Sequence, residues 1–548
     1  MTLTPLPLSP AAPRRSTALT LLLSLWGILF FASLFAPPLL DDADATHASA
    51  AHHILTSGDW TTLKVNGIRY LEKAPLPYWL VAICMRIFGA NTFAAHLPQA
   101  LAVLLLALLG FHWAGRAYGG RAAFYTGLAT LTAAGIFLFT RIFIPEVLLS
   151  LLLAAALYCF LQAIDDSSPA ESAARAALLL WAALALAVLT KGLVALVFFG
   201  GTALLYLVLT RSLARWRRLR PAVGLLVLLA IAAPWHILAG LRNTGGTLGG
   251  HTHGFFWFYF VNEHFLRFLG KRLPRDYNKL PASLYWVLHL VWLFPWSLFL
   301  PLPLLQLLRR RSHAATPSTG SSEYTRHTTL LLALFSVVVL VFFSFSTNQE
   351  YYTFPAYLPL LMLIAAALAR AEAGFTTDAQ ARRWIHGAHA TLTVAGLAIA
   401  ITLLLGLWSS RNLPFVPDIG DLLAHRGVGD YTLSMSHLFD LTGPSFAALR
   451  LPASLAALAF LLGPAAAWWL RRRHHHLAAT TAVALTAAIF LIAAHIALVR
   501  FGTMLSSANF ASAIDQLQTS GAIEPDTVVM LYGDQSYGSS IVFYLNRE

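Results

Sequence analysis

Apolar runs long enough to cross a membrane recur along this whole 548-residue chain, and they decide most of what it can fold into. A helix needs about 20 mostly apolar residues to span the hydrocarbon core, where no water satisfies an open backbone. Read for such runs, the sequence predicts about thirteen spans. They are 17–39, 95–115, 122–140, 143–163, 174–190, 192–209, 221–240, 284–308, 328–346, 353–370, 387–408, 451–470 and 477–499. Only 11% of the residues are charged, against roughly 25% in soluble domains. That excludes a soluble enzyme, a disordered chain and a fibre. The expected class is an all-α, polytopic membrane protein.

The net charge is +13. Its placement points to lipid rather than nucleic acid, because arginines crowd the short loops between spans. With a cytoplasmic N-terminus, five groups fall on one side: Arg116 with Arg121, Arg211 to Arg220, Arg309 to Arg311, Arg382 with Arg383, and Arg471 to Arg473. Thirteen spans then leave the C-terminus outside. Cys84 and Cys159 lie in apolar stretches and read as free thiols.

The same parity exposes four outer segments, 40–94, 241–283, 409–450 and 500–548. Long outer loops are usually functional. The first opens with Asp41-Asp42-Ala43-Asp44, followed by Ala45, Ala48, Ala51 and Ile54-Leu55 at helical spacing. This predicts an amphipathic helix on the membrane interface, with Asp44 near its N-cap. Ser57-Gly58-Asp59-Trp60 stops it, and Tyr70-Leu71-Glu72-Lys73-Ala74-Pro75 leads to Tyr78-Trp79. Taken alone, the aspartates read as a helix cap in a solvated turn. Taken with the Glu-Lys pair and further cations on the same face, they read as a base or metal site at the membrane surface.

In order and spacing, these pieces resemble the polyprenyl-phosphate-sugar glycosyltransferases of the C-type fold, chiefly the bacterial lipid A aminoarabinose transferases and related protein O-mannosyltransferase-like enzymes. That family carries an adjacent acidic pair, often with Arg two positions on. Counted back from Ser57, this chain has Ala43 and Asp44 at the pair and Thr46 in place of Arg. The resemblance thus leaves the catalytic carboxylate as Asp44 or Asp42, with Asp44 preferred and Asp41 supporting.

Later turns extend the resemblance. Thr190-Lys191-Gly192 matches a turn whose lysine faces the donor phosphate; read alone, Lys191 is a snorkelling anchor. Arg141 with Pro145-Glu146 matches an Arg followed by a Pro-acid pair; read alone, it is a local ion pair. Glu263-His264-Phe265-Leu266-Arg267-Phe268 matches a Glu-His-x-x-Arg-Phe element, and Arg267 is suited to two-pronged phosphate binding. Asn348 to Pro355 matches a turn that makes Tyr352 the phosphate-facing hydroxyl. The implied donor site is Lys73, Lys191, Arg267 and Tyr352, supported by Glu72, Tyr70, Arg141, Glu146 and His264. Trp257, Trp286, Trp292 and Trp296 are candidates to line a groove for the lipid tail. No cofactor is required; Glu72 with His264 is a candidate divalent-metal pair, although a single imidazole more often only hydrogen-bonds.

The resemblance implies an inverting transferase in a bacterial inner membrane, working on the periplasmic side. It would move a sugar from a polyprenyl phosphate to a hydroxyl or phosphate on a lipid, glycan or protein. Cations would stabilise the departing phosphate, and a carboxylate would orient or deprotonate the acceptor. A transporter or flippase of a lipid-linked sugar is the alternative of a different class, but repeats and midplane charges are not evident. The expected division is a catalytic membrane domain over 1–500 and an outer segment over 501–548. In that segment, Thr527 to Tyr532 and Ile541 to Leu545 read as strands of a small α/β unit. Two strands do not fold alone, so the tail either packs on the outer loops or is part of an incomplete domain; the second is preferred.

Overall fold

The computed structural model describes residues 12–245, 247–248, 251–274, 281–312, 323–346, 349–414, 445–532 and 538–546. Among them, ten helices are long and apolar enough to cross a membrane: Arg15–Leu34, Thr92–Tyr118, Glu146–Ile164, Ala170–Lys191, Pro221–Arg242, Glu323–Phe345, Phe354–Ala373, Ala379–Ser409, Arg450–Arg472 and His476–Gly502. Each coincides with an expected span. The other three expected spans take different forms.

The run at 284–308 is two helices, Ala282–Trp292 and Trp296–Leu307, bent by 100°. Pro295 sits at the break, where it has no N–H to continue the ladder. The run at 122–140 divides into Gly120–Thr132 and Ala134–Phe139, because Ala133 is extended. The two broken elements support each other. Ala134 N–H donates to the Phe294 carbonyl at 3.1 Å, and Trp296 Nε1 donates to Thr132 Oγ1 at 3.0 Å. Their approach needs Gly135, where a Cβ would fall 2.6 Å from that of Trp292. The run at 192–209 is the helix Val194–Leu209. Its 16 residues rise about 24 Å, short of the ~30 Å core.

The first outer loop folds as expected in sequence but not in exposure. The helix Ala43–Ser57 ends at Gly58, which takes the left-handed conformation. Ala45, Ala48, Ala50, Ala51 and Ile54 are fully buried. They pack on Val81 and Ala82 of the helix Leu76–Phe88 and on Ala94 and Ala95. The helix therefore packs its alanine face against protein.

The tail corrects the sequence reading. Residues 527–532 form no strand, and Val528 and Met530 are 81% and 87% exposed. Residues Ser539–Leu545 are a helix. A strand needs a partner edge, and the only sheets among the described residues are two-residue hairpins at 64–69 and 247–252. The tail helix packs against the first-loop helix instead, adding Phe543 to its core. Ser540 N–H and Ser507 Oγ both donate to the Asp41 carboxylate at 2.7 Å. Asp42 N–H donates to Ser539 Oγ at 2.8 Å, and Leu39 N–H to Tyr544 Oη at 2.9 Å. Of the outer loop 409–450, residues 415–444 lie outside the described residues, as do Asn348 and the side chains of Arg309 to Arg311.

Candidate functional site

A cavity of about 340 Å³ opens where the first loop, the Arg141–Glu146 turn, the Lys191 helix end, the helix Trp257–Leu266 and the Tyr351-Tyr352 turn meet. Lys73, Lys191, Arg267, Tyr352, Glu72, Glu146 and His264 all line it. Seven expected residues from five separate parts of the sequence therefore converge. The cavity's apolar walls include Val194, Val197, Phe265, Phe268, Phe342 and Phe343.

The cations are held by paired carboxylates. Lys191 Nζ pairs with Glu146 Oε1 and lies 4.2 Å from the centre of the Tyr352 ring. Arg267 pairs with Glu263 and donates to Tyr352 Oη at 3.0 Å. Lys73 Nζ sits 3.0 Å from Glu72 Oε1. Arg272, almost wholly buried, bridges Glu72 and Glu263. Burial alone would push the Glu72 carboxyl up, but Lys73, Arg272 and Arg267 outweigh it and hold it well below the usual range. Burial pushes the Glu263 carboxyl up, against the pull of Arg267 and Arg272. Among the described residues, Glu146 Oε2 is buried and has no hydrogen-bond partner.

His264 fixes the Lys191 turn. Its Nδ1–H donates to the Tyr259 carbonyl at 2.6 Å, and its Nε2 accepts from Leu193 N–H at 2.9 Å. Gly192 makes this possible. Its φ is +80°, and a Cβ there would fall 2.3 Å from His264 Nε2. Both imidazole nitrogens are committed to backbone, and Glu72 is committed to Lys73 and Arg272. The described residues therefore do not bring Glu72 and His264 together as a metal pair, and they contain no cluster of three metal-type ligands.

Other expected residues lie elsewhere. Asp41, Asp42 and Asp44 do not line the cavity. Asp44 is 1% exposed. Its Oδ1 accepts from His96 Nε2 and Phe143 N–H, each at 2.8 Å, and its Oδ2 from Leu40 N–H at 3.0 Å. Asp41 and Asp42 anchor the tail. Arg141 is not paired with Glu146; it donates to Ser33 and lies over the Phe137 and Phe30 rings. Tyr70 stands behind the cavity, its ring 5.8 Å from Lys73 Nζ. None of the four tryptophans lines the cavity: Trp292 and Trp296 are core, Trp286 is half exposed, and Trp257 stacks on His253. Phenylalanine and valine form the apolar wall instead.

Glu263, Arg272 and His47 belong to the site and were not assigned from sequence. The i,i+4 spacing of Glu263 and Arg267 was a usable signal. Arg272 carried none, since its partners lie on two other segments.

With this geometry in view, comparisons with known proteins are informative. Residues 72–238 match the family described as dolichyl-phosphate-mannose-protein mannosyltransferase. The crystal structure of ArnT from Cupriavidus metallidurans bound to undecaprenyl phosphate aligns with a TM-score of 0.73. It shares 24% identity and covers 97% of this chain and 85% of that one. The fold is that of the C-type membrane glycosyltransferases.

Within that class the resemblance narrows. The undecaprenyl phosphate-alpha-4-amino-4-deoxy-L-arabinose arabinosyl transferase of Aeromonas salmonicida is 28% identical over 69% of this chain and 66% of its own length. The like-named protein of Pseudomonas aeruginosa is 28% identical over 73% of this chain and 71% of its own. The chain thus spans just under two thirds of the length of the Aeromonas relative. These matches uphold the resemblance read from the sequence, to the lipid A aminoarabinose transferases. Helices and relatives together make the chain a multi-pass bacterial inner-membrane protein.

Proposed function

We propose that this protein is an inverting glycosyltransferase, similar in reaction to the lipid A aminoarabinose transferases. It takes a sugar from a polyprenyl-phosphate donor and passes it to a lipid acceptor at the periplasmic face. One observation carries the proposal: Lys73, Lys191, Arg267 and the Tyr352 hydroxyl converge on one cavity whose walls continue as phenylalanine and valine. An anionic headgroup on a hydrocarbon tail matches that division. The cations stabilise charge on the departing phosphate, and their carboxylate partners hold them in place beforehand. The periplasmic assignment rests on the arginine-rich short loops, which mark the cytoplasmic side.

We assign the acceptor-orienting carboxylate to Glu146, which lines the cavity and whose Oε2 has no hydrogen-bond partner among the described residues, and a positioning role to Asp44. Asp44 ties the first-loop helix to Phe143, three residues before Glu146. In the same reading, residues 1–500 form the catalytic domain, and the tail from 501 braces the first loop.

The test is mass spectrometry of lipid A from cells with and without the chain, together with transfer assays on purified variants. Lipid A should gain the mass of an amino-pentose only when the natural chain is present. Glu146→Gln should lose transfer while still binding undecaprenyl phosphate. If Asp44→Asn folds normally and abolishes transfer while Glu146→Gln does not, the carboxylate role returns to Asp44. Unchanged lipid A would remove the acceptor assignment.

A further inference from the structure

Two imidazoles line the cavity, His264 and His47. His264 has both ring nitrogens bonded to backbone. His47 does not. It projects from the first-loop helix, nine-tenths buried. Its Nδ1 lies 2.7 Å from Tyr78 Oη. The ring is braced edge-on by Tyr78 and Phe143, both at 5.7 Å between centroids, and tilted against Tyr70 at 5.9 Å. Among the described residues Nε2 has no hydrogen-bond partner, so it is the ring's one polar atom left for whatever enters the cavity.

The protonation states narrow what His47 can do. Burial, then Lys73, push its pKa down to about 3, against the opposing pull of Glu72 and Asp44. Burial, with Glu72 and Glu146, pushes the Tyr78 phenol well up. The phenol keeps its proton and the imidazole is neutral, so Nδ1 is taken up by the Tyr78 hydroxyl and Nε2 remains as a single donor or acceptor according to the tautomer. A neutral imidazole held this far below neutrality is a poor base and brings no charge to a phosphate. What it can do is hydrogen-bond an uncharged polar group. The phosphate-matching groups are joined to one another instead, through Arg267 to Tyr352 and Lys191 over the Tyr352 ring.

We propose that His47, oriented by Tyr78, hydrogen-bonds the sugar of the donor through Nε2 and so helps decide which sugar is accepted. This rests on the reading of the cavity as a polyprenyl-phosphate-sugar site. Phosphate recognition and sugar recognition then fall to different side chains: His47 on the first-loop helix reads the sugar, and Lys73, Lys191, Arg267 and Tyr352 hold the phosphate. A purely packing role for His47 predicts no such division.

The experiment compares two ligands on the purified full chain: bare undecaprenyl phosphate, and undecaprenyl phosphate carrying 4-amino-4-deoxy-L-arabinose. His47→Phe should bind the bare lipid as the natural chain does and bind the sugar-bearing lipid about tenfold more weakly. His47→Gln, which restores a hydrogen-bonding group, should recover part of that loss. Tyr78→Phe, which keeps the imidazole but frees its orientation, should weaken only the sugar-bearing ligand, by about threefold. Should His47→Phe fail to fold, the Gln and Tyr78 variants still decide the matter. Equal weakening of both ligands, no weakening of either, or a natural chain that gains nothing from the sugar would each overturn the proposal. A natural chain that fails to bind bare undecaprenyl phosphate would instead bring down the donor-site reading beneath it.

Discussion

The span Phe354–Ala373 has a cluster of buried charge at each end, and the two are built differently. At its end, Glu372 accepts from Arg471 and Thr480 on one oxygen and from Arg121 and Tyr125 on the other. Arg471 also bonds His389 and His476. Both Glu372 and Arg471 are sealed from solvent, and every carboxylate lone pair in the cluster is matched. At the start of the span, around Tyr352, Lys73, Lys191, Arg267 and Glu146 border a cavity. Charge that holds helices together is closed on itself. Charge that awaits a ligand borders open space.

The sharpest way to break this comparison is at the sealed end. Glu372→Leu leaves Arg471 buried and unpaired, which should cost about 3–5 kcal/mol of stability. Unfolding in detergent measures it. Glu372→Leu combined with Arg471→Met should recover a good part of the loss, since the pair is then replaced by apolar volume. A single substitution costing less than about 1 kcal/mol would erase the distinction, because that is the level of an exposed pair.

The open end should respond in binding rather than stability. Arg267→Ala removes a charge-assisted contact of about 1.5–3 kcal/mol. It should weaken undecaprenyl phosphate binding roughly ten- to a hundredfold. The unfolding midpoint should move little, because Glu263 retains Arg272. A stability loss as large as that of Glu372→Leu would show that the two ends are built alike.

The smallest effect sharpens the comparison through pH. The Glu72 carboxyl is held below its ordinary value of 4.5. A carboxylate depressed by folding stabilises the protein above its unfolded pKa, and that contribution is lost as pH falls through the folded one. The difference in melting temperature between the natural chain and Glu72→Gln should therefore be largest near neutral pH and shrink as pH falls below 4.5. A difference that grows on acidification would reverse the sign of the shift and remove the Lys73 and Arg272 pairing as its cause.

The sequence makes some of this legible and hides the rest for physical reasons. Lysines and arginines stand out at the ends of apolar runs, so Lys191 and Arg267 are visible as boundary cations before any contact is known. Asp44 is equally visible as a carboxylate at a helix start. What turns it inward comes from His96 and Phe143, 52 and 99 residues away. Arg471 looks like one of three anchoring arginines, yet it is fully buried while its two neighbours are exposed. The period of the helix, not the composition of the cluster, separates them. Residues 527–532 have the apolar, β-branched composition of a strand, but composition does not supply the neighbouring edge that a strand requires. The tryptophans mislead for a related reason: size and apolarity suit a core as well as a lipid groove.

The bonds from Ser507 and Ser540 to Asp41 join residues separated by 466 and 499 positions. A ribosome adding roughly 5–20 residues per second needs about 25–100 s to cover that distance. The first outer loop leaves the ribosome early, yet its fastenings to Ser507 and Ser540 are made hundreds of residues later. Until then the wall that carries His47 and Lys73 stands without its brace, and the arrival of that brace reports that the spans between have been threaded.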